Sequence, residues 1–265
     1  MKWIILAAQL CACAASLHAE TAQERGKRVV NDCLNALGGE QFLHMENRVE
    51  SGRAYSFYRE RLSGLTVAKL YTHYDAAPKD SAHELAIRQR QNFGKNEDYG
   101  VLFGSKEGWE ITFRGARPLA DDRFASYKET TLRDIFYILR VRLQEPGLIF
   151  ESKGSDVVEN SPVDIVDVID ADNQVTTVYF HQQTKLPTRQ VFYRRDPQTK
   201  DRIEEITRYS KYRDVGGGVQ WPYAIERSRD GEKIYQMFSE SVQVNNNKMS
   251  DDLFVLPSTI KLLKP

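Results

Sequence analysis

From Arg48 onward the chain is a succession of short alternating segments, and most gaps between them have the length and the chemistry of hairpin turns. Arg53-Ala-Tyr-Ser-Phe-Tyr-Arg59, Leu65 to Tyr74 and His83 to Arg90 alternate with the two-residue period of a strand. Ser63-Gly64 and Ala76-Ala-Pro78 punctuate them as turns. Asp98 to Phe103 and Gly108 to Phe113 follow, split by Gly104-Ser-Lys-Glu107. Leu148 to Ser152, Val163 to Ile169, Val175 to His181, Thr188 to Arg194, Ile203 to Arg213, Val219 to Ser228 and Lys233 to Val244 continue the pattern. Between them, Asp170-Ala-Asp-Asn173, Gln183 to Pro187, Asp196 to Lys200, Gly216-Gly-Gly218 and Arg229-Asp-Gly231 supply the Gly, Asn, Asp and Pro that tight turns need. Short connections make sequence neighbours into spatial neighbours, so the pattern predicts an antiparallel meander. About twelve strands are too many for a comfortable flat sheet, and curling is expected. The fold class is therefore mainly β with some α, a strongly curved antiparallel sheet.

Two stretches interrupt the strands with helical spacing. Ala22 to Leu37 places Val29, Val30, Cys33, Leu34 and Leu37 on one face, and Gly38-Gly39 ends the run with a residue that accepts a left-handed cap. A short helical turn over Glu40 to Met45 follows. Thr130 to Gln144 carries Leu132, Ile135, Phe136, Leu139 and Leu143 in the same spacing and predicts a second helix, stopped by Pro146-Gly147. These helices either fill the concave face of the sheet or roof it and leave a cavity.

Residues 1–19, MKWIILAAQLCACAASLHA, have the layout of an export signal: Lys2 at the start, an apolar stretch from Trp3 to Ala15, and small Ala19 before polar Glu20. A spanning helix needs about 20 apolar residues, and this run is shorter and interrupted by Gln9. Cleavage near Ala19 is expected, leaving residues 20–265 as a single exported domain. Leu10-Cys11-Ala12-Cys13 is a poor version of a lipoprotein box, the alternative in which Cys13 becomes a lipidated N-terminus. Two of the three cysteines lie in this segment, so Cys33 alone remains and no intrachain disulfide can hold the exported chain. Its place on the apolar helical face predicts burial.

Charge is balanced, with 37 basic and 37 acidic residues, and loss of Lys2 leaves one acid in excess. That balance argues against nucleic acid as a partner, since such proteins carry a basic face. Charged residues interrupt every apolar run after residue 19, so contact with a membrane is expected to be peripheral at most.

No constellation for catalysis stands out. His73, Asp75 and His83 could meet across a hairpin, but they match no dense ligand motif, and no metal or other cofactor is assigned. Gly216-Gly-Gly218 joins two strands and lacks the following Lys of a phosphate loop. Glu204, Glu205, Asp121 and Asp122 have no spacing that marks a catalytic carboxylate pair. Arg194-Arg195-Asp196 and Lys200-Asp-Arg202 read as a solvated hairpin tip. The chain is expected to bind and not to turn over. Its 13 Tyr and 12 Phe concentrate in strands, where aromatics pack well on a pleated surface. For a cavity on the concave face, the candidate lining residues are Tyr71, Phe103, Phe113, Phe136, Leu139, Phe180, Phe192 and Phe238.

The stretch from Val178 to Pro257 carries a further pattern. It runs through Tyr179-Phe-His-Gln-Gln-Thr-Lys-Leu-Pro187, Glu205-Ile-Thr-Arg-Tyr-Ser-Lys-Tyr-Arg-Asp-Val-Gly-Gly-Gly-Val-Gln-Trp-Pro222, Arg229-Asp-Gly-Glu-Lys233 and Val244-Asn-Asn-Asn-Lys-Met-Ser-Asp-Asp-Leu-Phe254. Locally, Thr184 to Pro187 is a turn into a strand that tolerates proline, and Pro222 implies a free strand edge or a bulge. Asn245 to Asp251 is a polar turn before Leu253-Phe254, which folds back on the sheet. Together these segments resemble the outer-membrane lipoprotein-sorting protein family, with the LolA-like fold shared by lipoprotein carriers and periplasmic regulators of the RseB type. The resemblance implies a half-open β-barrel with helices as a lid over an apolar cavity. It implies a periplasmic protein that holds acyl chains of lipids or lipoproteins, with an envelope protein as a possible partner. The alternatives are a sensory or protein-interaction module on the same scaffold and, behind it, a hydrolase.

Export with cleavage predicts that the protein recovered from the envelope starts at Glu20. Intact-mass measurement checks this, and a mass that retains residues 13–19 plus lipid would establish the Cys13 alternative instead.

Overall fold

The computed structural model describes residues 19–196 and 199–264. The export segment and its Cys13 alternative therefore lie outside the described residues, apart from Ala19. One antiparallel sheet of thirteen strands runs through the described chain. Its first half is β1 (Asn47–Tyr58), β2 (Arg61–Tyr74), β3 (Ile87–Phe93), β4 (Tyr99–Phe103), β5 (Gly108–Thr112) and β6 (Gly115–Pro118). Its second half is β7 (Ile149–Val158), β8 (Ser161–Ile169), β9 (Val175–His181), β10 (Pro187–Arg195), β11 (Arg202–Asp214), β12 (Gln220–Arg229) and β13 (Glu232–Val244). Every strand pairs with its sequence neighbours within a half, and β1 pairs with β13 to join the halves. The sheet is not closed: β6 and β7 are its two edges. Near β6 the chain end covers the edge, where Ala116 N donates to Lys261 O and Leu263 N donates to Ala116 O.

Strand boundaries shift from the sequence expectation where turn geometry or a distant partner decides them. The first hairpin turns at Arg59-Glu60, both at positive φ (48° and 61°), and Ser63-Gly64 lies inside β2. A pair of left-handed residues gives the hairpin a twist that matches its strands. β3 starts at Ile87 and not at His83, because residues 75–86 are drawn away as a loop toward the helices. Ala86 N donates to the Tyr137 hydroxyl (2.8 Å) and Ser81 Oγ donates to Glu145 (3.1 Å). β6, a four-residue strand too short to show alternation, is the thirteenth. Pro222 has a partner on β11 but lies beyond the β12–β13 pairing, which starts at Ala224. On the β13 side no ladder partner is assigned to it, so no β12–β13 bond is lost to the proline there.

Helix α1 (Ala22–Leu37) starts with a Thr21–Glu24 capping box and ends on Gly38 in the left-handed conformation. Its buried face, including Cys33, joins Phe150, Val166, Val178 and Phe180 in the main core. Burial pushes the Cys33 thiol far up, so it is a packing residue and not a nucleophile. The short α2 (Glu40–Leu43) adds Phe42. The helix expected over Thr130–Gln144 is instead two pieces. α3 (Asp121–Leu132) ends early, and Asp134 takes an extended conformation (ψ 128°) to cap α4 (Ile135–Tyr137), which runs on as a π-helical turn over Ile138–Arg142. The cap wins because the Asp134 carboxylate accepts from the Phe136 and Tyr137 amides (3.0 and 3.2 Å), which are free only if the helix restarts there. The apolar stripe survives the break, since Leu132, Ile135, Phe136 and Leu139 are all buried. No helix among the described residues is long and apolar enough to cross a membrane.

Arg142 locks these pieces together. Only 2% of its surface is exposed, and its guanidinium donates twice to Glu145 (2.6 and 2.8 Å) and once to the Leu132 carbonyl (2.5 Å), with Asp170 at 3.4 Å. Removing one partner of such a buried pair leaves an uncompensated charge. Arg142→Ala should cost about 3–5 kcal/mol of stability in urea unfolding, and Arg142→Lys should recover only part of it, because an ammonium lacks the two-pronged fork.

Candidate ligand-binding cavity

The helices divide the concave face in two. α1, α2 and α4 fill one end as core, whereas α3 stands over the rest and roofs a cavity of about 760 Å³. α3 rests on β4 through Phe103 and Tyr127, stacked at 3.7 Å between ring centres, with Phe124 packed beside them. It is tethered by charge as well. Glu110 on β5 accepts from Arg117 (2.6 Å) and pairs with Arg123 of α3. Asp121 and Asp122 lie in the first turn of α3, where acids suit the helix dipole.

The cavity floor has a direction set by strand alternation. At the closed end Phe136 is the centre of an aromatic cluster, edge-on to Tyr209 (5.0 Å) and against Trp221 (4.7 Å). Arg48 stacks over the Trp221 ring at 3.8 Å and donates to the Tyr74 hydroxyl at 3.0 Å. Glu50 lies 3.5 Å from Arg48 Nε as an ion pair and accepts from Ser239, whereas Arg48 Nε itself makes no hydrogen bond among the described residues. The Tyr209 hydroxyl sits between Asp134 (3.1 Å) and Gln190 (2.8 Å), and Gln190 also accepts from the Ile135 amide. These bonds fasten the start of α4 to the floor. Asp134 is half-buried and its remaining surface faces the cavity; burial raises its pKa, while the Arg227 charge acts in the opposite direction.

Toward the open end the floor becomes polar. Along β10 Phe192 gives way to Arg194, along β11 Tyr209 to Thr207 and Glu205, and along β12 Trp221 to Ile225, Arg227 and Arg229. Glu205 accepts from Arg194 (2.9 Å) and from Arg229 (2.8 Å). The lining is thus mixed, and not the apolar wall that the family resemblance implies. Neither does Arg194 belong to a solvated hairpin tip: its place in the two-residue period turns it onto the concave face, with 11% of the side chain exposed.

Of the eight residues selected from the sequence, Phe103, Phe136 and Phe192 line this cavity. Leu139 and Phe180 are packed in the main core. Tyr71 lies near Lys69, Phe238 packs edge-on to Tyr55 at 5.8 Å, and Phe113 is 84% exposed at the β5–β6 turn. The three metal-ligand types scatter: His73 is 3.6 Å from Asp75, Asp75 is held by Arg88, and His83 sits between Asp80 (2.9 Å) and Asp172 (2.6 Å). No group of three or more such side chains among the described residues is placed to hold a metal ion. Arg227, Arg229, Trp221 and Tyr209 were not selected. For the first three the signal is present as alternation in Gln220–Arg229, where arginines share the face of Trp221 and Ile225, and for Tyr209 as its place with Thr207 and Glu205 in the alternation of β11.

No protein-family model matches this sequence, and no curated protein matches it either. Solved structures do. A DUF1329 family protein from Desulfovibrio piger ATCC 29098 superposes with a TM-score of 0.60, over 89% of this chain and 98% of its own, at 11% identity. A domain named for outer membrane lipoprotein sorting, from Vibrio parahaemolyticus, gives 0.55 over 87% and 97% at 8% identity. A LolA superfamily protein from Nitrosomonas europaea gives 0.54 over 89% and 98% at 10% identity. This chain has a LolA-like fold. At such identities the likeness is one of fold alone, and the lining of a LolA-like cavity is each sequence's own.

The roof tether is sensitive to acid. Burial would raise the Glu110 carboxyl, but the hydrogen bonds and charges of Arg117 and Arg123 outweigh it and hold it below the usual carboxylate range. A lowered folded pKa gives stability that is present above the unfolded value, about 4.3, and lost as pH falls through the folded one. Glu110→Gln should therefore speed amide exchange in α3 at neutral pH, and the gap to the unaltered protein should narrow progressively as pH falls below about 4.3.

Proposed function

We propose that this protein is an exported, periplasmic binding protein that holds an amphiphilic ligand, a lipid or the acyl part of a lipoprotein, in the cavity under α3. The observation that carries this reading is the cavity itself. At about 760 Å³ it falls within the range of ligand pockets, roughly 300–1,000 Å³, and combines an aromatic closed end with a polar open end. An amphiphile matches that gradient. Its chain gains by leaving water, at roughly 25 cal/mol per Å² of apolar surface, and its head stays near solvent. The fold supports the same reading, since it is shared with a domain named for lipoprotein sorting. Binding is favoured over turnover because the carboxylates of the closed end are committed to structure: Asp134 caps α4 and Glu50 pairs with Arg48.

A second reading, a protein-interaction module of the envelope, has one observation in its favour. Tyr58, Leu62, Leu65 and Val67 on the β1–β2 hairpin are 45–67% exposed, a cluster of apolar residues on one hairpin.

The delipidated protein should take up a neutral fluorescent lipid analogue with saturable binding. Ile225→Trp, which fills the middle of the cavity, should weaken that uptake by roughly ten- to a hundredfold. Absence of any uptake by the unaltered protein would leave only the interaction reading.

A further inference from the structure

Five arginines line the cavity, and four have carboxylate partners: Arg48 with Glu50, Arg123 with Glu110, and both Arg194 and Arg229 with the single Glu205. Arg227 is the fifth. Among the described residues its side chain forms no ion pair and no hydrogen bond, and its guanidinium carbon lies 5.9 Å from the centre of the Tyr235 ring. The remaining lining carboxylates are engaged elsewhere. Asp134 accepts from two backbone amides and faces the Tyr209 hydroxyl, Asp122 accepts from the Arg123 amide, and Asp196 accepts from the Thr199 amide within its own hairpin.

Arg227 points into the cavity. It is opposite Thr207 on β11 and Tyr235 on β13, both of which line it. Its charge is felt by Asp134, Tyr209 and Tyr235, in each case against the larger effect of burial. On the same face of β12, Arg229 lies on the open side of it and Ile225 and Trp221 on the closed side. Trp221 is 3% exposed, and its indole Nε1–H has no acceptor among the described residues. The cavity therefore holds an indole donor without an acceptor and, at the boundary between its apolar and polar parts, a guanidinium outside any ion pair. Arginine at such a boundary suits planar oxyanions, which it can engage with two parallel N–H bonds.

We infer that Arg227 is the head-group anchor of the cavity, and that its ligand is an acidic amphiphile whose carboxylate or phosphate oxygens pair with the guanidinium while the chain runs past Ile225 and Met237 toward Phe136 and Trp221. This rests on the reading of the cavity as an amphiphile site and adds the charge class of the ligand.

The test compares cis-parinaric acid with its methyl ester on the delipidated protein, by fluorescence titration at neutral pH and low salt. The acid should bind roughly tenfold or more tightly than the ester, as expected for a charge-assisted pair. Hexadecyl phosphate should displace the acid, and inorganic phosphate at the same concentration should not. In Arg227→Gln the ratio of acid to ester affinity should fall to near one; Arg227→Lys should retain a reduced preference for the acid, and it serves in place of the glutamine variant where that protein fails to fold. Equal binding of acid and ester by the unaltered protein would overturn the assignment, as would a ratio that survives Arg227→Gln. Displacement by inorganic phosphate as effective as by hexadecyl phosphate would also overturn it, in favour of a free-anion site. Failure of both acid and ester to bind is a different result: it removes the amphiphile reading itself.

Discussion

The pairing of β1 with β13 is the contact on which the rest of the molecule depends. It joins residues about two hundred positions apart, Arg48 to Val244 among them, and turns two separate meanders into one sheet. A sheet of thirteen twisted strands cannot stay flat, so the join creates the concave face. The register slips once, between Ser51 and Gly52, and Gly52 there approaches β13 so closely that a Cβ would lie 2.1 Å from the Phe238 carbonyl oxygen. Only glycine permits that approach. Every lining residue on β12, β13, β1 and β2 is set in place by this seam.

The second decisive event is the helix break at Arg133-Asp134. A continuous helix over this region would have lain wholly in the core or wholly above it. The break lets α4 descend to Phe42, Tyr209 and Trp221 while α3 stays raised on Phe103 and the Glu110 tether. One end of the concave face is consequently solid and the other hollow. The two outcomes open to a curved sheet with helices, filling and roofing, are both realised, side by side.

Charge in the hollow end follows from the same alternation that makes strands. Once β10, β11 and β12 are aligned, Arg194, Glu205, Arg229 and Arg227 come onto one face without any local motif to announce them. Three arginines share that face with one glutamate, which pairs with two of them. That imbalance, more than the cavity's size, distinguishes this chain's interior from a plain apolar pocket, and it gives the ligand a predicted sign of charge.

The sequence by itself determined the strand character from Arg48 onward, the α1 helix with its Gly38 cap, the burial of Cys33 and the LolA-like pattern after Val178. Each is written in local spacing or turn chemistry, which needs no distant partner to be read. It placed Phe103, Phe136 and Phe192 among lining candidates but could not separate them from Leu139 and Phe180, because core and cavity walls use the same residues. Only the tertiary structure decided which apolar positions face a void, that Asp134 restarts the helix, that residues 75–86 leave the sheet for Tyr137 and Glu145, and that Arg227 stays outside any ion pair among the described residues. Those outcomes depend on which strands lie side by side across the β1–β13 seam, and a contact spanning two hundred residues leaves no trace in the spacing of either strand alone.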